Sequence, residues 1–189
     1  MSFGILGNMS NIDPATVRGF GEEWSQFDQS ELSDRERREV GQRYFSLLPL
    51  ESLTRSMTAM DVGCGSGRWA ALIAPRVAEL HCVDPAETAL RVAKQNLGDF
   101  DNAVFHIASV DELPVPNDSM DLVYSLGVLH HVPDTASAIT QCVAKVKMGG
   151  KFLVYLYYRF DNRPLWFRLV WRVTDLVRQG ISRLPFRFK

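Results

Sequence analysis

From residue 57 onward, short apolar runs alternate with stretches whose apolar positions recur at helical spacing. Residues 57–62, 78–83, 102–107, 120–125 and 151–158 read as five strands, because near-continuous apolar runs suit strands buried on both faces. Between them, 68–74 reads as a helix. A second helix buries Ala86, Leu90, Ala93 and Leu97 and stops at Gly98 in a left-handed cap, and 134–147 is a third with Ile139, Val143 and Val146 turned inward. Gly149-Gly150 then turns the chain into the last strand. Ahead of the first strand, 14–28 carries Phe20, Trp24 and Phe27 at helical spacing beside Glu22 and Glu23, which reads as an amphipathic helix or lid. Ser33 and Glu36 form a capping box for a helix with Val40, Tyr44, Leu47 and Leu48 on one face, stopped by Pro49. Strands and helices alternating at this spacing imply right-handed crossovers. The expected fold class is therefore α/β, a doubly wound, mostly parallel sheet with helices on both faces. Its expected parts are an N-terminal helical lid over 1–50, a core over 51–158 and a basic aromatic helix over 159–189, all within one domain.

Composition narrows the class without naming it. The 189 residues are 46% hydrophobic and 23% charged, ordinary values for a globular protein. A net charge of −1 argues against a dedicated nucleic-acid binder. No apolar run approaches a membrane span, and the start lacks the basic and apolar regions of a signal peptide, so a cytoplasmic location is expected. Cys64, Cys82 and Cys142 are widely spaced, which suits reduced, buried thiols better than disulfides or a zinc site, and no metal is expected.

The most informative segment is Asp61-Val62-Gly63-Cys64-Gly65-Ser66-Gly67, followed by Asp84 at the end of the second strand. Glycines tolerate positive φ and let a backbone lie flush against a ligand. A strand-terminal carboxylate beside them is placed to accept both hydroxyls of a ribose. A dinucleotide-binding site needs a third small residue at the sixth position from Gly63, and that position is Arg68. The pattern is G-x-G-x-G led by an acidic residue, and here the chain resembles the class I S-adenosylmethionine-dependent methyltransferases, of the type 11 kind. The resemblance runs almost continuously over 59–155, about half of the chain.

What it implies is a site for S-adenosylmethionine, with S-adenosylhomocysteine as product. The cofactor-contacting set would be Asp61, Gly63, Cys64, Gly65, Gly67, Asp84, Pro85, Ser109, Val110, Asp111, Ser125 and Leu126. In that family an Asp after the third strand often accepts from the adenine amino group. Ser109 stands at that position here, so the contact falls to the Ser109 hydroxyl or to the Asp111 carboxylate; acidic loop residues such as Asp111 and Glu112 are also commonly just solvated. The loop Leu126-Gly127-Val128-Leu129-His130-His131 resembles the family's acceptor-facing loop. A neutral imidazole takes a proton from a hydroxyl near pH 7, which makes His130 or His131 the candidate general base. A loop histidine that merely holds a backbone carbonyl is the plainer alternative. The motif specifies the cofactor and not the acceptor, expected to be a small or lipid-linked molecule. A non-catalytic cofactor-binding or assembly subunit and, less favoured because of Arg68, an NAD-linked oxidoreductase are the rival classes.

Residues 163–189 hold seven basic side chains against Asp175, interleaved with Trp166, Phe167 and Trp171. Such a helix either packs its aromatic face over the sheet or lies peripherally on an anionic membrane. Full-size members of the family continue into two further strands beside the fifth. The run Phe152-Leu153-Val154-Tyr155-Leu156-Tyr157-Tyr158 would otherwise be an open edge, so the expectation is either a fragment or a homo-oligomer formed through that edge.

Overall fold

The computed structural model describes residues 11–26, 34–157 and 163–182, and the chain divides after Leu156 into two compact units. The first is built on a five-stranded parallel sheet, β1 (Thr58–Val62), β2 (Glu79–Asp84), β3 (Ala103–Ile107), β4 (Met120–Leu126) and β5 (Val146–Tyr155), in the order β3-β2-β1-β4-β5. The helices of this unit are α1 (Pro14–Gln26), α2 (Asp34–Tyr44), α3 (Ala70–Ile73), α4 (Glu87–Asn96) and α5 (Thr135–Ala144). The second unit contains one described helix, α6 (Leu165–Ser182).

Strand alternation sorts the core into two layers. Ala59, Leu80, Cys82, Leu122, Tyr124 and Leu153 point to one face, where they meet Phe45, Ile73, Leu90 and Ala93. Met60, Val62, Val83 and Val123 point to the other, against Ala138 and Cys142 of α5. Each fully buried Leu or Ile in these layers contributes on the order of 1.5–3 kcal/mol. The order reverses at β1: the chain winds outward through β2 and β3, then returns to β1's other side with β4. A ligand is bound outside the carboxyl ends of the strands at such a switch point.

Several local expectations shift. The helix after β4 is shorter than 134–147 and differently phased: Ala138 and Cys142 are fully buried, whereas Val143 is 49% exposed. Asp134 caps its start, accepting from the Ser137 N–H at 2.9 Å, and β5 already begins at Val146. Gly149-Gly150 falls inside that strand, at an irregularity where Met120 pairs with Val146 but Leu122 pairs with Lys151. In the helix before Pro49, Leu47 is 87% exposed and Phe45 and Leu48 take the buried positions, because the chain leaves helical geometry after Tyr44. Gly98 is not among the glycines with positive φ, and the cap of α4 is Leu97. The helix after the glycines is a single turn, Ala70–Ile73, continued by a 3-10 turn over Ala74–Arg76 where Pro75 prevents further α-helix. Ser33, Phe27 and Tyr158 lie outside the described residues. β5 is an end strand of the five; Leu153 is buried, and Tyr155 packs edge-on against Tyr44 at 5.0 Å.

Candidate functional site

The turn after β1 is pinned from both sides. The N–H groups of Gly63 and Cys64 both donate to Val83 O of β2, at 2.8 and 3.1 Å, and Asn96 Nδ2 donates to Ser66 O at 2.9 Å. Within it Gly63, Gly65 and Gly67 have φ of 79°, 53° and 77°, the left-handed region that side chains rarely adopt. Packing reinforces this. A Cβ at Gly63 would stand 2.4 Å from Val128, and one at Gly67 would press on Leu97 and Ala93 at 3.0 and 3.2 Å. Gly67 thus already provides the close helix approach for which a dinucleotide fingerprint uses its sixth position. Arg68 is released to lie over the Trp69 ring, 4.2 Å from its centroid.

Asp84 ends β2 beside this turn. Its Oδ2 accepts the Gly65 N–H at 3.0 Å and its Oδ1 the Ala86 N–H at 2.8 Å, so the carboxylate fixes the loop and retains further lone pairs for hydroxyl donors. Burial pushes its pKa up, against the pull of those two N–H groups. Asp61 is deeper. Burial pushes its carboxyl up to about 8; the Tyr124 hydroxyl works against that rise and Asp84 adds to it. Asp61 pairs across the sheet with Tyr124, yet among the described residues no hydrogen bond of ordinary length reaches Asp61 Oδ2, and Ser66 Oγ is likewise buried without a described partner. Two buried polar atoms without a partner among the described residues, beside a cradle that any Cβ would fill, fit a polar ligand laid along the glycine turn. The Cys82 thiol and burial hold Cys64 well above its ordinary pKa, so it is a neutral thiol and no nucleophile.

Two further strand ends reach the same rim. Ser109, Val110 and Asp111 follow β3, which pairs with β2 through Asp84 and Ile107. Ser109 is buried, and the Val110 side chain belongs to the core, leaving its backbone for a ligand. One Asp111 oxygen accepts the backbone N–H of Asn11. Ser125 donates to Val62 O at 2.8 Å, tying β4 to β1, and buried Leu126 closes the strand. Beyond Gly127, a 3-10 turn over Leu129–His131 carries both candidate bases. The His130 and His131 rings are 4.0 Å apart, and His131, itself exposed, meets Phe20 of α1 edge-on at 4.9 Å. Partial desolvation of the rings lowers the pKa of each, and His131 lowers that of His130 further. Both imidazoles are therefore neutral at pH 7, the state a proton acceptor needs.

The N-terminal segment folds over this rim. Trp24 lies against the glycine turn, its Nε1 2.9 Å from where a Gly65 Cβ would be, and Gly21 lets α1 approach Thr88 of α4. Asn11, buried, donates from Nδ2 to Asp134 O at 2.7 Å and accepts from Asp134 N–H at 2.6 Å. Asn11, Ser66 and Tyr124 escape a sequence reading. Asn11 contacts Asp111 and Asp134, 100 and 123 positions away, and Tyr124 is tied to Asp61 only once the β1–β4 register is known. A cavity of about 170 Å³ lined by Leu53, Met57, Asp121, Met148 and Lys151 lies at the amino ends of the strands, away from the glycines.

Asp61 titrates near pH 3.8 when unfolded and near 8 when folded, so the ligand-free folded chain holds an extra proton in between. The stability tied to that proton is full below about pH 3.8 and is lost as pH climbs through about 8, at most about 1.4 kcal/mol per pH unit. Asp61→Asn is expected to raise the melting temperature at pH 8 and to flatten its decline from pH 5. A variant no more stable than wild type at pH 8 would contradict this environment for Asp61.

A doubly wound sheet with a G-x-G-x-G turn at its switch point and an Asp ending the next strand defines a nucleotide-cofactor fold of the methyltransferase kind. The family model described as "Methyltransferase domain" matches residues 60–154. The chain therefore belongs to the S-adenosylmethionine-dependent methyltransferases of class I. It is 28% identical over 144 residues to a ubiquinone biosynthesis O-methyltransferase of Thiobacillus denitrificans, covering 75% of this chain and 62% of that one. It is 38% identical over 95 residues to a protein of the same description from Nitrosomonas europaea, covering 49% and 40%. The chain thus spans less than two thirds of the length of these curated relatives. The N-methyltransferase NodS of Bradyrhizobium japonicum, solved with S-adenosylhomocysteine, superposes with a TM-score of 0.62 at 20% identity over 72% of this chain and 70% of NodS, a likeness of fold. No helix among the described residues is long and apolar enough to cross a membrane.

Proposed function

We propose that this protein binds S-adenosylmethionine across the glycine turn and transfers its methyl group to a hydroxyl oxygen of a small or lipid-linked acceptor, in the cytoplasm. The observation that carries this reading is the turn itself, with three positive-φ glycines anchored to β2 and Asp84 holding Gly65. When bound, the cofactor supplies a methyl group already activated by a sulfonium. Asp84 would hold the ribose hydroxyls, and Asp61 and Ser66 would meet the polar groups of the amino-acid end. Ser109 or Asp111 would meet the adenine, and Pro85, Val110 and Leu126 would flank it. Trp24 and Phe20 would exclude water from above. His131 or His130, neutral near pH 7, would accept the hydroxyl proton of the acceptor. An oxygen acceptor is favoured by such a base and by the O-methyltransferase descriptions of the relatives. Self-association through the β5 edge belongs to the same reading, since Tyr155 stays 40% exposed there.

Incubation with methyl-labelled S-adenosylmethionine and catechol as probe, alongside a lipid extract, tests transfer directly. Label is expected in a phenolic ether, and His131→Ala or His130→Ala should lower turnover by about 100-fold with cofactor affinity retained. Tight S-adenosylhomocysteine binding without transfer to any hydroxyl acceptor would replace this reading with that of a non-catalytic cofactor-binding subunit.

A further inference from the structure

Helix α6 is amphipathic in a manner the methyltransferase core does not require. At 100° per residue, Leu169, Val173, Trp166 and Val170 share one side, with Leu165 and Leu176 at its edge, while Asp175 and Arg168 fall on the polar side and Arg172 runs along the border beside Leu165. Trp171 falls within the polar side, between Arg178 and Asp175. Its own unit contains no other described helix or strand that could bury this face. Charge points to the occupant. Residues 163–189 hold seven basic side chains and one acidic, a surplus of six, while the whole chain carries −1, so the residues before 163 carry −7. Asp175 is moreover taken up by Arg178, at 2.6 Å, which leaves Arg168 and Arg172 as a ridge one turn apart. A second copy of the helix carries the same positive ridge and offers it no counter-charge, whereas an anionic surface attracts it.

We propose that α6 docks this protein on the anionic lipid surface of a membrane, lying in the interface with Leu165, Leu169, Val173 and Trp166 in the acyl boundary. The helix is not apolar enough to span, and its composition matches an interfacial segment: leucine, valine and Trp166 on one side with Arg168 and Arg172 along its border, where the arginine stems reach headgroups. This inference stands apart from methyl transfer, and its test reads no activity.

The full chain is floated with vesicles of phosphatidylcholine alone and of phosphatidylcholine mixed with phosphatidylglycerol. Flotation is expected with the anionic vesicles only, with a blue shift of tryptophan emission and loss at high salt. Each arginine near the surface strengthens partitioning about five-fold, so Arg168→Glu with Arg172→Glu should reduce it by at least about 25-fold. Leu169→Ser with Val173→Ser should reduce it with the charge unchanged. The thermal unfolding of each variant monitors the fold of the core. Equal flotation with neutral vesicles, no flotation with either, or binding unaffected by both double variants would overturn the proposal. Self-association that disappears in the serine variant, without flotation, would assign the face to a second copy and overturn it likewise.

Discussion

Gly65→Val is expected to weaken S-adenosylhomocysteine binding by at least about 100-fold, equivalent to roughly 2.7 kcal/mol. Two features of the turn add up here. Gly65 has φ of 53°, where a β-branched residue costs about 1–3 kcal/mol. Its Cβ would also stand 2.9 Å from the Trp24 indole nitrogen, so the side chain fills the layer between the backbone and the aromatic that covers it. Gly65→Ala should fall between wild type and valine. Gly19→Ala is the control: no described atom outside its own helix backbone lies within 4 Å of a Cβ placed there, and the exchange should leave affinity unchanged while stabilising α1 by about 0.5–1 kcal/mol. Calorimetric titration of the three variants measures this. Full affinity in Gly65→Val would mean that the ligand does not touch the turn.

Asp84→Ala is expected to weaken the same binding by about 1.5–3 kcal/mol, the scale of a lost hydrogen bond to a charged group. Because Asp84 also accepts from Gly65 and Ala86 N–H, alanine both removes a ligand contact and loosens the turn. Asp84→Asn separates the two. Its amide oxygen can still accept from one N–H, so the melting temperature should be nearer wild type while affinity still drops. Equal affinity in wild type and both variants would assign Asp84 to the loop alone.

Most of the architecture was legible in the chain because parallel strands buried on both faces are written as uninterrupted apolar runs. The edges of β1, β2, β3 and β4 fall within a residue of where those runs begin and end. Helix phase was harder. Val143 looks as apolar as Ala138 and Cys142, but the capping Asp134 starts α5 at Thr135 and rotates Val143 outward. Periodicity fixes spacing and leaves absolute phase to packing. In the candidate site, glycine spacing revealed the turn, since positive φ restricts residue type at those positions. Partnerships made through the fold had no local signal: Asn11 with Asp111 and Asp134, Trp24 with Gly65, and Asp61 with Tyr124 each join segments remote in sequence. The three-glycine pattern and Arg68 together separated this site from a dinucleotide site, and the packing of Gly67 on Leu97 and Ala93 supplies the physical reason.

The central claim is that the turn after β1 is a site for S-adenosylmethionine. Isothermal titration of the full chain with S-adenosylhomocysteine and, separately, with NAD tests it most directly. The account predicts saturable one-to-one binding of S-adenosylhomocysteine, lost in Gly65→Val, and no heat with NAD. Tight binding of NAD with none of S-adenosylhomocysteine would contradict it.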